Sequence, residues 1–477
     1  MTHGAILLVK LGARDVVGLR RLDRNILRHV FRDTRVQRLV REEILEGHIG
    51  VGGGNRSAAA REIEVSPQGD EDEAKHQSGD EFHWFVLPML SSYKFNIIIG
   101  IQNLFNGHTI SDTAAGVGSD PPWRENRMRI VSTASAFPPH YYSQEMLLAA
   151  LQEYWGDQVE NPQVLRRLHK HVGVDGRFLS LRKEEYREMK TWGEANRHWI
   201  RTAKDLGEKA ISGALAGAGL HGRNLGAFFF VSVTGISSPS IDALLINQMG
   251  LCRSIRRLPV FGLGCVAGAA AISRAADYVR AYPDQTAVVL SVELCSLTLQ
   301  REDVSMANLI SAGLFGDGAA AVIVAGAECG FSSGPKILAT RSVFYPDTEE
   351  MMGWDVSEKG FRIVLSREIP NLVRANLAHD LDDFLAERAL TRADIGNWTL
   401  HTGGPKILEA TAEALGLKNG ELDVSWECLR RTGNLSSASV LVVLEEVMKN
   451  RRPAPGTLGL LAAMGPGFCA EFVLLEW

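Results

Sequence analysis

Three polar residues stand at the ends of predicted elements and have side chains suited to thioester chemistry. The first is Cys265, in Gly262-Leu263-Gly264-Cys265, between a hydrophobic strand and an alanine-rich helix. Glycines permit a tight turn there, and the positive end of the helix dipole favours a thiolate. Cys265 is therefore the candidate nucleophile. The alternative is a buried cysteine that only packs.

The other two residues are His401 and Asn434. His401 follows a predicted strand and precedes Gly403-Gly404-Pro405, where the proline suits the first turn of a helix. Asn434 stands where the N-cap of a later helix is expected. A histidine satisfied within a loop and an asparagine that only caps are the alternatives. Together, a Cys, a His and an Asn at element ends are the set expected for acyl transfer through a thioester.

Strand-like and helix-like segments alternate from residue 128 onward, which predicts an α/β fold with helices on both faces of mixed sheets. The last two predicted strands are close in sequence, which suggests an antiparallel pair at a sheet edge. The predicted strands are 128–132, 226–233, 258–263 (buried), 286–293, 319–324, 397–401, 457–463 and 469–477. The predicted helices are 143–154, 239–249, 265–282, one from 405 and one from 434 to about 450.

The first 127 residues have no repeat and no sustained pattern, apart from a possible amphipathic helix within 15–46. The glycines 52–54 lack the GK[ST] ending of a phosphate loop, so a linker is favoured. We expect 1–127 to be an extension with little structure, partly disordered. Residues 128–335 would form a half that carries the cysteine, and 336–477 a half that carries the histidine and asparagine. The extension is either dispensable or the product of a start codon upstream of a true start at Met128.

Composition excludes several classes of protein. The 477 residues include 51 basic and 56 acidic side chains, a net charge of −5, which argues against a nucleic-acid binder. No apolar run is long enough to span a membrane. The six cysteines form no CxxC pair, which disfavours a disulfide framework or a zinc site and favours a reducing, cytoplasmic compartment. We expect no metal and no cofactor.

Residues 128–477 resemble the type III polyketide synthases, the chalcone-synthase-like family of the thiolase fold, and its bacterial branch in particular. The resemblance implies an α/β fold of two similar halves, with mixed sheets and helices in layers. It rests on the Cys265 turn, His401-Thr402-Gly403-Gly404-Pro405, Gly433-Asn434-Leu435-Ser436-Ser437, Leu314-Phe315-Gly316-Asp317-Gly318, Thr234-Gly235-Ile236-Ser237-Ser238-Pro239, Glu293-Leu294-Cys295-Ser296-Leu297-Thr298 and Gly465-Pro466-Gly467-Phe468.

The resemblance also implies roles for individual residues. Cys265 would take a starter acyl group from an acyl-CoA, supported as a thiolate by ion pairing with His401. His401 and Asn434 would hydrogen-bond the malonyl-CoA carbonyl during decarboxylation, since donors aimed at that oxygen stabilise the enolate. Phe315 and Phe361 would orient the malonyl group, and ordinary core packing is the alternative for both.

Binding residues and a partner follow from the same resemblance. Arg167 and Lys170 would hold the CoA phosphates, although an exposed helix face explains the same basic cluster. Cys295, Thr298 and Ser238 would shape the cavity, and Ser238 would lie near a partner subunit in a homodimer. The bacterial-type segment 293–298 favours a fatty acyl starter and an alkylpyrone or alkylresorcinol product.

Two other functions compete with this interpretation. A β-ketoacyl-acyl-carrier-protein synthase of the initiating type shares the fold and a Cys-His-Asn set. Its histidine usually lies in His-Gln-Ala-Asn, whereas this chain has His401-Thr402-Gly403-Gly404. A non-catalytic thiolase-fold protein that only binds acyl ligands is the second alternative, and the intact Cys-His-Asn set argues against it.

Overall fold

The structure is a computed structural model. It describes four short strands within the first 127 residues, and then residues 128–159 and 162–477. The chain divides into two compact units, Met1–Val117 and Gly118–Trp477. In the first unit, β1 (Lys10–Gly12) pairs antiparallel with β2 (Phe82–Trp84), and β3 (Val86–Pro88) pairs antiparallel with β4 (Asn96–Ile98). The possible helix within 15–46 lies outside the described residues.

The second unit alternates strands and helices, as predicted. Its strands are β5 (Arg129–Ala136), β6 (His140–Ser143), β7 (Gly176–Leu179), β8 (Leu225–Val231), β9 (Arg256–Val260), β10 (Thr286–Leu294), β11 (Asp317–Ala325), β12 (Lys336–Phe344), β13 (Met352–Ser357), β14 (Gly360–Leu365), β15 (Ile395–Leu400), β16 (Leu458–Gly465) and β17 (Cys469–Glu476). Its helices are α1 (Gln144–Trp155), α2 (Pro162–His171), α3 (Trp192–Ala218), α4 (Ile241–Met249), α5 (Ala267–Ala281), α6 (Met306–Leu314), α7 (Ile369–Ala386), α8 (Pro405–Leu415), α9 (Asp423–Thr432) and α10 (Ser439–Asn450).

Nine strands form one mixed sheet in the order β15-β16-β17-β12-β5-β11-β10-β8-β9. In the first half, β5 pairs antiparallel with β11, β11 antiparallel with β10, and β10 parallel with β8. The second half repeats the pattern, with β12, β17, β16 and β15 in the same relative directions. The halves meet where Lys336 pairs with Arg129. The unit is therefore built from two similar halves.

Helices and sheet strands lie in layers. Helices α5 and α10 contact strands of both halves, and together they fill a core of small and branched apolar residues. Helix α3 covers the outer face of the first half, and α7 and α8 cover that of the second. Close packing of α5 depends on its small residues: a Cβ on Gly268 would lie 2.1 Å from the carbonyl oxygen of Ser437. This contact brings the start of α5 against the segment that follows Asn434.

Two predictions about the sheet were wrong. The strand predicted as buried over 258–263 is β9, which is an edge strand, and Leu258 is 45% exposed. The closing pair β16 and β17 is antiparallel, as predicted, but both strands lie inside the sheet, because β15 flanks β16 and β12 flanks β17. A local sequence pattern indicates only which strands are close in the chain. Whether a strand lies at the edge of the sheet depends on its pairing with distant strands.

Among the described residues, no helix is long and apolar enough to cross a membrane, and no group of three or more His, Cys, Asp or Glu side chains is arranged to hold a metal ion. All six cysteines are free thiols.

Candidate active site

Cys265 lies in a one-turn 3-10 helix, Gly264–Val266, that leads directly into α5. Gly264 has φ +53°, and a Cβ there would lie 2.5 Å from Cδ of Pro466, so the turn needs glycine. The side chain of Cys265 is buried, and its Sγ lies 3.6 Å from Oγ of Ser436. The sequence motif gave no role to Ser436, which therefore adds a hydroxyl to the site.

His401 follows β15 and is also buried. Its backbone N–H donates to the carbonyl of Ala462 on β16 at 3.0 Å, which fixes the residue at the end of the parallel pair. Its Nδ1 is buried without a hydrogen-bond partner among the described residues. A buried ring nitrogen with no protein partner is costly, and a bound ligand or a proton transfer can satisfy it.

Burial stabilises the neutral forms of the Cys265 and His401 side chains. It raises the pKa of Cys265 to about 12; the hydrogen bond with Ser436 opposes this shift and the charge of Glu293 adds to it. Burial also lowers the pKa of His401 to about 4. Burial by itself therefore favours a thiol at Cys265 and a neutral imidazole at His401, because it shields both groups from water. The expected ion pairing of the two residues stays a prediction.

Asn434 is not the N-cap of α10, because that helix begins five residues later, at Ser439. Its Oδ1 accepts hydrogen bonds from the backbone N–H of Ser436 at 2.8 Å and from Oγ of Ser439 at 3.2 Å. Since a backbone N–H can only donate, the oxygen of the amide must face Ser436. The Nδ2 donor therefore faces the other way and is available to a ligand.

Two sets of contacts connect Cys265 with Asn434 and with the strand of His401. Ser436 touches Sγ of Cys265 with its hydroxyl and bonds Asn434 with its backbone N–H. On the other side, β16 pairs with the strand of His401 and ends at Gly465, where a Cβ would lie 2.6 Å from the backbone nitrogen of Val266. The fold thus links Cys265 to residues that are 136 and 169 positions further along the chain.

A buried carboxyl group, Glu293, was not assigned a role from the sequence. It accepts hydrogen bonds from Oγ1 of Thr234 at 2.9 Å, from the backbone N–H of Val233 at 3.2 Å and from the hydroxyl of Ser437. Burial raises its pKa to about 7. The signal was present in the sequence, since Glu293 is the only charged residue of β10, a strand with nine buried positions.

A cavity of about 340 Å³ lies beside Phe315, lined mainly by residues of the first half and by Trp354 and Ile363 of the second. Cys295 and Thr298, two of the predicted cavity residues, line it, whereas Cys265, His401 and Asn434 do not. The rest of the lining is largely apolar, with a few charged side chains. It includes Leu147, Ala150, Leu151, Leu179, Leu299, Ala312, Ile363, Arg177, Lys183 and Arg187.

The two aromatic residues occupy different places. Phe315 lines the cavity and forms an isolated parallel bridge with Asn434. Phe361 is 1% exposed, and its ring lies 5.7 Å from Trp192 and 5.8 Å from Trp354, centroid to centroid. Core packing therefore accounts for the present position of Phe361, while Phe315 lies between the cavity and Asn434.

The remaining predicted binding residues are on the surface. Arg167 and Lys170 are exposed on α2, and Lys170 lies in its last turn, where a cation also favours the helix dipole. Ser238 is exposed in the loop before α4 and does not line the cavity.

A duplicated mixed sheet around two central helices, with a buried cysteine at the start of one of them, defines a protein of the thiolase fold. Two family descriptions match the chain: "Chalcone and stilbene synthases, N-terminal domain" over residues 124–328, and "Chalcone and stilbene synthases, C-terminal domain" over residues 336–476. The chain belongs to this family and is a type III polyketide synthase, an acyltransferase.

Relatives and solved structures agree with this assignment. The chain is 49% identical over 350 residues to 1,3,6,8-tetrahydroxynaphthalene synthase from Streptomyces peucetius subsp. caesius, covering 73% of this chain and 93% of the relative. It is 32% identical over 354 residues to 3,5-dihydroxyphenylacetyl-CoA synthase from Amycolatopsis orientalis, covering 73% and 93%. The crystal structure of 1,3,6,8-tetrahydroxynaphthalene synthase from Streptomyces coelicolor A3(2) superposes with a TM-score of 0.70, at 32% identity, covering 73% of this chain and 99% of that one.

Proposed function

We propose that Cys265, His401 and Asn434 catalyse the decarboxylative condensation of malonyl-CoA with an acyl group held on Cys265. The observation that carries this proposal is the contact between Cys265 and Ser436, whose backbone in turn orients the amide of Asn434. A nucleophile and a fixed hydrogen-bond donor are thereby placed on adjacent segments, as acyl transfer and enolate stabilisation require.

In the first step Cys265 attacks the carbonyl carbon of the acyl-CoA. Its proton passes to His401, which is neutral in the buried site and can accept it, and the CoA thiol leaves with a proton. In the second step malonyl-CoA loses CO2, and the electron pair of the broken bond forms an enolate. Nδ2 of Asn434 and His401 donate to the enolate oxygen. The enolate carbon then attacks the acyl-Cys265 thioester, releasing the Cys265 sulfur and a β-ketoacyl-CoA.

The relative at 49% identity supports an aromatic product. A naphthalene skeleton has ten carbons, which equals five two-carbon units, so malonyl-CoA alone supplies enough carbon. We propose 1,3,6,8-tetrahydroxynaphthalene as the product and malonyl-CoA as the source of both starter and extender units.

The cavity favours a second candidate. Its largely apolar lining and its volume of about 340 Å³ suit an alkyl chain, which is the occupant expected for a fatty acyl starter and an alkylpyrone or alkylresorcinol product.

Purified protein offered malonyl-CoA, with and without a fatty acyl-CoA, tests both candidates. Mass spectrometry should find a ten-carbon tetrahydroxy aromatic from malonyl-CoA alone. Products that form only when the fatty acyl-CoA is present, and that gain mass with its chain length, would establish the second candidate instead. No condensation on either CoA thioester, with Cys265→Ala as the matched control, would contradict the proposed function.

A further inference from the structure

The C-terminal end of α6 is completed by residues from three other parts of the chain. A helix leaves its last four carbonyl groups without intrahelical donors. In α6 every one of these carbonyls has a partner. The bonds are Phe315 N to Ser311 O at 3.0 Å, Arg177 Nη1 to Ala312 O at 2.8 Å, Gln144 Nε2 to Gly313 O at 2.8 Å, and Asn434 N to Leu314 O at 2.9 Å. Arg177 and the backbone of Asn434 therefore share one helix end.

Arg177 also holds the residue that follows the helix. The same Nη1 donates to the carbonyl oxygen of Phe315 at 2.7 Å. The side chain is 3% exposed, and among the described residues it makes no ion pair within 4 Å. Both carbonyl oxygens accept from Nη1, while Nε is buried without a hydrogen-bond partner among the described residues. A buried cation at a helix C-terminus is favoured by the helix dipole, and the longer, planar guanidinium is not interchangeable with an ammonium group.

The stem of Arg177 packs against the bridge between Phe315 and Asn434. A Cβ on Gly433 would lie 3.0 Å from its Cδ, and a Cβ on Gly316 would lie 3.5 Å from its Cβ. The backbone N–H of Gly316 donates to the carbonyl of Asn434 at 3.0 Å, which closes the bridge. Arg177 thus contacts both strands of the bridge and bonds one of them.

We infer that Arg177 is a positioning residue: by capping α6 and holding the carbonyl of Phe315, it fixes the bridge that aims the amide of Asn434 and the ring of Phe315 at the malonyl thioester. This inference rests on the proposed function. It predicts different effects on the two half-reactions, acylation of Cys265 and decarboxylation of malonyl-CoA. In the proposed mechanism only decarboxylation needs Asn434.

The test compares Arg177→Lys and Arg177→Met with Arg182→Lys, a matched control whose side chain is 70% exposed and lies five residues along the same segment. Intact-mass measurements follow acylation of Cys265, and CO2 release follows decarboxylation. We expect Arg177→Lys to slow decarboxylation about tenfold or more while acylation stays within about threefold, and Arg182→Lys to change neither. Arg177→Met should slow decarboxylation further.

A double-mutant cycle with Asn434→Ala separates positioning from general loss of structure. If Arg177 acts through Asn434, Arg177→Lys should slow the residual decarboxylation of Asn434→Ala by less than about threefold. Equal losses in both half-reactions, or unchanged decarboxylation in Arg177→Lys, would overturn the inference. If Arg177→Met does not fold, Arg177→Lys alone decides. A wild-type chain that performs neither half-reaction would instead overturn the proposed function.

Discussion

At the scale of the residue, burial controls the chemistry of the site. The same shielding that raises the pKa of Cys265 to about 12 lowers the pKa of His401 to about 4. Attack by the cysteine therefore requires a proton to leave as the new bond forms, and His401 is the neutral base available to take it. An enclosed thiol of this kind reacts slowly with other electrophiles in the absence of substrate.

Alkylation of Cys265 by iodoacetamide should report this protonation state. Because the pKa of the thiol lies far above neutrality, the thiolate fraction and the alkylation rate should rise about tenfold per pH unit between pH 6 and pH 9. Peptide mass spectrometry can follow Cys265 specifically, with the half-buried Cys252 as an internal reference. A rate that is constant over this range would show that a stable thiolate–imidazolium pair exists and that the neutral pair is wrong.

Glu293 should make stability fall as pH rises. Its folded-state pKa of about 7 lies above the ordinary value of 4.5, so between these pH values the folded protein keeps a proton that the unfolded chain has lost. The free energy of unfolding of the wild type should therefore fall relative to Glu293→Gln by about 2–3 kcal/mol between pH 5 and pH 8. Denaturant titrations at the two pH values measure this difference.

Glu328→Gln is the control for Glu293→Gln, because Glu328 is exposed. It should leave the pH dependence unchanged. If the difference between wild type and Glu293→Gln does not vary with pH, Glu293 is ionised in the folded protein and its hydrogen-bond donors outweigh desolvation.

At the scale of the element, the bridge between Phe315 and Asn434 depends on close backbone approach. Gly433 has φ +70°, and a Cβ there would lie 2.5 Å from the carbonyl oxygen of Leu314. No side chain fits at this point without separating α6 from the segment that carries Asn434. Its ψ of −167° also puts the backbone in a region open essentially only to glycine, so the contact and the backbone conformation both explain why the position needs glycine.

Gly416→Ala is the comparison for Gly433→Ala. Gly416 has nearly the same φ, +68°, but its ψ of 32° lies in the left-handed helical region, and a Cβ there would meet nothing within 4 Å. Gly416→Ala should cost about 1 kcal/mol for the left-handed backbone alone, whereas Gly433→Ala should cost about 1–2 kcal/mol more and slow malonyl-CoA decarboxylation. Thermal unfolding and CO2 release measure the two effects. Equal destabilisation by both variants would contradict the close approach at Gly433.

At the scale of the whole molecule, one surface supports the predicted homodimer. Ile236, Leu258 and Phe261 are 44%, 45% and 53% exposed, and they lie on edge strand β9 or on the loops that follow β8 and β9. Large apolar side chains grouped on one surface are typical of an interface. We expect a dimer by light scattering at micromolar concentration, and we expect Leu258→Asp combined with Phe261→Asp to weaken it. A monomeric wild type would contradict the prediction.

The chain is also expected to work without its first unit. The N-terminal family match begins at residue 124, and all three proposed catalytic residues lie in the unit Gly118–Trp477. A chain of residues 118–477 should therefore retain Cys265 acylation and malonyl-CoA decarboxylation within about twofold of the full chain. Loss of either activity in a folded 118–477 chain would assign a role to residues 1–117. The cytoplasmic location stays a prediction.

The sequence by itself determined about half of the elements of the second unit, and the family; the long helices α3 and α7 were among the elements that were not predicted. Apolar runs and turn residues placed the strands and helices to within a few positions, because these signals are local. Motifs around Cys265, His401 and Asn434 predicted the thiolase fold through their resemblance to the type III polyketide synthases.

Tertiary structure decided what depends on distant contacts. It made β9 an edge strand, placed β16 and β17 inside the sheet, and moved Asn434 out of the N-cap position. It also joined Ser436 to Cys265 and brought Arg177 and Asn434 to one helix end. The pKa of Cys265 belongs to the same group: a helix dipole can be anticipated from the sequence, but the burial that raises this pKa arises only when distant parts of the chain pack around the residue.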